Sequence, residues 1–78
     1  MTGQRETIRY ATPALRHGSE NHWFVAAQPW QDFVGTTSEH ESGWTATTNT
    51  GRYAGLWPTK QAAAEVLVKQ AGYELELG

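Results

Sequence analysis

Cysteine is absent from the chain, so disulfides and thiolate metal sites are both excluded, and a reducing compartment suits it. No apolar run approaches the roughly 20 residues that span a bilayer, and the charged start through Glu6 has no apolar stretch behind it. The expectation is a cytoplasmic protein without membrane contact. A basic excess is missing too: six Lys and Arg stand against eight Asp and Glu, for a net charge of −2. Proteins that live on phosphate backbones normally carry the opposite balance, because each neutralised phosphate releases counterions. With 78 residues the chain makes one small domain, residues 1–78, near the lower limit for folding without staples. Residues 1–5 are expected to be disordered.

Aromatic residues, by contrast, are plentiful: four Trp, three Tyr and two Phe supply much of the surface that folding must bury. Charge is present but uneven. Residues 1–18 hold Arg5, Arg9 and Arg16 against Glu6, whereas residues 19–42 hold Glu20, Asp32, Glu39 and Glu41 and no cation.

Along the chain, Thr7 to Ala11 alternates apolar Ile8 and Tyr10 with polar neighbours, a period-two signal for a short strand that Pro13 should end. Gly18 to Asn21 reads as a turn. His22 to Gln28 is a second strand, apolar without interruption from Trp23 to Ala27, which predicts cover on both faces. Trp30 to Val34 is too short to classify. Gly35 to Gly43 is polar and acidic between two glycines, and is expected to be a mobile loop.

The next segment is the clearest. Gly43 to Asn49 and Arg52 to Trp57 flank Thr50-Gly51, and the β-branched Thr45, Thr47, Thr48 and Thr50 favour strand. A two-residue loop at Thr50-Gly51 predicts a hairpin in which Asn49 faces Arg52, Ala46 faces Gly55 and Trp44 faces Trp57. Trp44, Ala46, Tyr53, Gly55 and Trp57 then share one face; Thr45, Thr47, Ala54 and Leu56 share the other. A three-residue loop with a bulge would shift that register by one and separate the Trp pair.

Thr59 is a good N-cap, and no Gly or Pro follows from Lys60 to Ala71. Ala63, Ala64, Leu67, Val68 and Ala71 fall on one stripe of this helix, with Gln61, Glu65 and Lys69 opposite. Gly72 offers the left-handed stop. Tyr73 to Leu77 alternates strictly and predicts a terminal edge strand with Glu74 and Glu76 outward. The fold class is therefore α+β: an antiparallel sheet of four to five strands, in the order β-β-β-β-α-β, with one helix on one face.

Strand, Gly turn and strand, followed by Leu56-Trp57-Pro58-Thr59-Lys60 and then Ala63, Ala64 and Leu67, resembles the N-terminal arm-binding domain of tyrosine recombinases over about residues 43 to 68. The resemblance implies a three-stranded sheet with a C-terminal helix, and a basic sheet face that docks into a DNA groove. Here that hairpin holds one cation, Arg52, behind an acidic segment, so the function does not carry over with the shape.

Catalytic and metal chemistry find little to build on. His17 and His22 bracket Glu20, and His40 lies between Glu39 and Glu41, at spacings that match no recognised metal site. Ser19, Ser38 and Ser42 have no oriented base and no elbow-type motif. The expectation is a protein that is not an enzyme and carries no metal or cofactor. Trp is enriched at interaction hot spots, and four exceed what so small a core readily buries. A protein-interaction module is the reading, an accessory protein or inhibitor of the kind phages and mobile elements encode. Trp30, Asp32, Phe33, Glu39 and Glu41 are its candidate contact residues, and a homodimer is compatible with it. The alternative is a sheet-based nucleic-acid-binding domain using Arg5, Arg9, Arg16, Arg52 and Lys60.

Overall fold

The computed structural model describes residues 8–76. Five strands form an antiparallel meander: β1 (Tyr10–Ser19), β2 (His22–Gln28), β3 (Asp32–His40), β4 (Gly43–Thr48) and β5 (Tyr53–Trp57). Helix α1 (Lys60–Gln70) and the short β6 (Glu74–Leu75) complete the described chain. The strand order is β5-β4-β3-β2-β1-β6, and β6 runs parallel to β1 through Tyr10–Glu74 and Ala11–Leu75. The chain is α+β as its pattern predicts, with a mixed sheet of six strands rather than four to five. Helix α1 crosses one face from the β5 edge to the β6 edge and packs on every strand.

The helix is built from local signals. Thr59 Oγ1 accepts the Ala62 amide at 3.0 Å, satisfying one unpaired donor of the first turn. At the other end Gly72 (φ 101°) lets its own amide reach the Lys69 carbonyl at 3.0 Å and the Tyr73 amide reach Val68 at 3.3 Å. This paired closure ends the helix and turns the chain into β6. Ala63, Ala64, Leu67 and Val68 are fully buried against Ala11, Val25, Ala27, Val34 and Ala46. Ala71 is exposed, because the helix has already ended there.

The hairpin departs from its expected register twice, and the two departures cancel. Gly51 N–H donates to the Thr48 carbonyl at 2.9 Å and Thr48 N–H to that of Arg52 at 2.8 Å, so the loop is the three residues Asn49-Thr50-Gly51. Asn49 therefore does not face Arg52, and Thr47 faces Tyr53. Ala54 and Gly55 then oppose Ala46 together, a bulge for which Gly55 supplies a positive φ of 108°. The extra residue in the loop and the extra residue in β5 restore Thr45–Leu56 and Trp44–Trp57. Between the two shifts the faces are exchanged. Tyr53 turns outward at 64% exposure, and Ala54 turns inward onto the core.

Two other expectations change. β1 does not stop at Pro13, which pairs with Ala27 inside it. The carbonyls of Arg9 and Ala11 accept from the Glu74 and Glu76 amides. Strand alternation points the Pro13 nitrogen to that same side, beyond the end of β6, so no ladder bond is lost. Residues 35–40, expected as part of a mobile loop spanning 35–43, are instead the greater part of β3, paired on both sides. Their polarity hid them. The inward positions are Gly35 and Thr37, both buried, so the inner face shows no apolar alternation. The expected strand at Thr7–Ala11 begins at Tyr10, and Thr7, Leu77 and residues 1–5 lie outside the described residues.

At Gly35, β3 passes close under Leu67 of the helix. A Cβ there would lie 2.2 Å from the Thr47 carbonyl oxygen and 3.0 Å from Leu67 Cδ2. Gly35→Ala should therefore cost about 3 kcal/mol or more. Gly51→Ala meets no atom within 4 Å and should cost only its left-handed backbone, about 1 kcal/mol. Urea unfolding followed by Trp fluorescence measures both, and equal losses would refute the close β3–β4–α1 contact.

Candidate functional site

Because α1 covers one face of the sheet, the side chains that alternate away from it form a second, uncovered face. Cross-strand pairing places them in rows. Ala14, Ala26 and Phe33 form one; Arg16, Phe24, Thr36, Thr47 and Tyr53 the next; His22, Ser38, Thr45 and Leu56 a third. Phe24 and Phe33 are each 45% exposed and Leu56 47%, high values for residues of this kind. The two Phe rings touch at a tilt, with centroids 6.1 Å apart. Beside them lies an open depression of about 520 Å³, with Ala14 and Ala26 as its floor, Phe24 and Phe33 as its wall, and Arg16 and Gln28 among its other lining residues. No Asp or Glu occupies the rows of Ala14, Arg16 or His22 on β1 to β5. Glu74 and Glu76 are exposed at the β6 margin, beside the start of β1.

The opposite side is occupied by the fold's own contacts. At the β6 edge, Trp30 Nε1 donates to the Tyr10 carbonyl at 2.9 Å, and the Trp30 ring stacks on Tyr73 at 6.2 Å. The Arg9 guanidinium lies 4.6 Å from the Tyr73 ring centre and 5.5 Å from that of Trp30. Tyr73 Oη donates to Asp32 Oδ2 at 2.8 Å. This clasp joins the start of β1, the β2–β3 turn and the chain after α1. Near the N-terminus of α1, Lys60 Nζ sits 3.6 Å from the Trp23 ring centre and 5.8 Å from that of Trp44, and His17 packs on Trp23 at 4.7 Å. Trp57 Nε1 donates to the Ala54 carbonyl at 3.0 Å.

The sequence-derived contact residues therefore separate. Trp30 and Asp32 belong to the clasp, with Trp30 still 46% exposed. Glu39 shares the row of Trp44 at the far end of β3, about 23 Å along the strand from Asp32, and Glu41 lies beyond it in the β3–β4 turn. Phe33 is the one member on the uncovered face. Among the cations, Arg5 lies outside the described residues, Arg9 is in the clasp, Lys60 is on the Trp rings and Arg52 is in the β4–β5 turn; Arg16 lines the depression. Sequence reasoning missed Phe24, Ala14, Ala26 and Gln28. The signal was the alternation within β2, where Val25 and Ala27 are buried and Phe24 is exposed, masked because both sets are apolar.

Among the described residues no three His, Asp or Glu side chains gather where a metal would need them, and no helix is long and apolar enough to cross a membrane. His17 Nε2 hydrogen-bonds the Glu20 carbonyl at 3.1 Å.

The hydrogen bond to Asp32 holds the Tyr73 phenol above the ordinary tyrosine range; partial burial and the Asp32 charge add to this, and Arg9 opposes it. A raised folded-state value means that the clasp's contribution is whole below the ordinary tyrosine pKa and is lost as pH rises through the Tyr73 value. Subtracting the phenolate absorbance titration of Tyr73→Phe from that of the wild type should leave one phenol with a midpoint above 10.0. A midpoint at or below that value would remove the Tyr73–Asp32 bond from the account. Compared with known proteins, the chain matches no family model, no curated sequence and no solved structure.

Proposed function

We propose that this chain is a non-enzymatic protein-interaction module that docks a partner protein on its uncovered sheet face, with Phe24 and Phe33 as anchors. The observation that carries this reading is a face of strands β1 to β5 on which Phe24 and Phe33 stay exposed beside one depression, with Tyr53 and Leu56 exposed on the same face at β5. Apolar surface gathered in this way costs solubility in a free domain and is repaid by a partner. The side chains lining the depression support binding rather than turnover. Arg16 is the single titratable one, and a guanidinium neither gives nor takes a proton near neutral pH. Work of an accessory or inhibitory kind, as small phage and mobile-element proteins perform, follows from that reading. The cytoplasm is the compartment we assign, on the absence of cysteine.

A second reading has one observation in its favour. Phe24, Phe33 and Tyr53 lie on one face with Arg16, the arrangement on which single-stranded nucleic acid stacks its bases. It is the weaker reading, since Arg9 and Lys60 are engaged with aromatic rings and leave that face few cations for phosphate.

Photo-crosslinking in the host cell separates the two. Benzoylphenylalanine placed at Gln28 or Phe33 should form a discrete adduct with another protein, and at Glu41 or Arg52 it should form none. Equal adducts at all four positions, or adducts with nucleic acid alone, would sink the proposal.

A further inference from the structure

Resting on that docking reading, we infer that the depression recognises a partner segment carrying an apolar side chain beside a carboxylate. The apolar group lies on Ala14, Ala26, Phe24 and Phe33, and the carboxylate pairs with Arg16. A volume of about 520 Å³ falls within the roughly 300–1,000 Å³ of clefts that hold a ligand group. Its floor is two methyl groups and its wall is two rings in contact, so an inserted side chain loses water on several sides at once.

Arg16 decides the sign of the charge. It stands on β1 directly across from Phe24, in a ladder that fixes its backbone, and its own row and both neighbouring rows hold no acid. A guanidinium fork beside an apolar wall matches a carboxylate in geometry. Arg16 is the one charged side chain lining the depression, and it draws an acidic segment there. A nucleic-acid strand would bring one charge per nucleotide to a depression with a single cation, and a second copy of this face would set Arg16 against another acid-free surface. An acidic, apolar peptide fits better than either.

The test is fluorescence anisotropy of the full chain with three labelled probes: a decapeptide of Glu, Leu and Phe, the same peptide with Lys in place of Glu, and a fifteen-nucleotide oligothymidylate. The wild type should hold the Glu peptide at least tenfold more tightly than the Lys peptide, and Phe33→Ser should weaken it about tenfold. Arg16→Glu should reverse the preference between the two peptides, a change of sign that a loosened fold cannot mimic. Circular dichroism confirms folding of both variants. Equal affinity of the wild type for the two peptides, an unchanged preference in Arg16→Glu, or tightest binding to the oligonucleotide would each overturn the inference. So would sedimentation as a dimer that Phe33→Ser dissolves. If the cross-links at Gln28 and Phe33 persist while the peptides fail, docking stands and acid recognition falls.

Discussion

Helix α1 has 11 residues, a length of about 16 Å, and the sheet it lies on is six strands and about 24 Å across. One short helix must bury one face of a sheet wider than itself. It does so by coming close. Ala63 and Ala64 put no bulk between the helix axis and the strands, and Gly35 removes it from the other side, so Leu67 and Val68 can fill the centre. What the helix is too short to reach is closed by rings at its two ends. Trp23 and Trp44 pack near its start beneath Lys60 with Trp57 against the core, while Trp30 and Tyr73 pack past its end beneath Arg9.

That division of labour explains why the aromatic residues fall into two kinds. Three of those on the helix side have their polar atoms tied, Trp30 to Tyr10, Trp57 to Ala54 and Tyr73 to Asp32, and Trp23 and Trp44 lie under Lys60. A ring that ends in a used donor is held in one orientation and serves the fold. Phe24 and Phe33 have no such handle, touch each other, and face outward. The cations divide in the same way, with Arg9 and Lys60 spent over rings and Arg16 left on the open face. The proposed function and the proposed ligand chemistry both use what remains after the helix side is complete.

Bulges make this partition workable. Val25 pairs with Gly35 while Ala26 pairs with Phe33, so Val34 is an extra residue that turns into the core. The Ala54-Gly55 bulge likewise sends Tyr53 out and Ala54 in. Each changes which face its neighbours serve, as a shift of one residue must in a period-two element. Without the first, Val34 would turn outward with Ala26 and Phe33 inward with Ala27; without the second, Trp44 and Trp57 would not pair.

The sequence by itself determined the helix, both its caps, the hairpin strands and the turn to a terminal strand. These depend on residues a few positions apart, such as Thr59 and Ala62 or Val68 and Tyr73, although the hairpin loop proved to be Asn49 to Gly51 rather than Thr50-Gly51. Tertiary structure alone decided that polar residues 35–40 form a central strand, since their pairing with β2 and β4 overrides composition. It also decided that β1 runs through Pro13, whose missing donor faces a side with no partner there. Trp30 and Asp32 read as contact residues until Tyr73, 41 positions from Asp32, met them in the clasp. The open face of Phe24 and Phe33 was invisible in sequence for a simple reason. An apolar run does not say which of its alternate residues a single helix will cover.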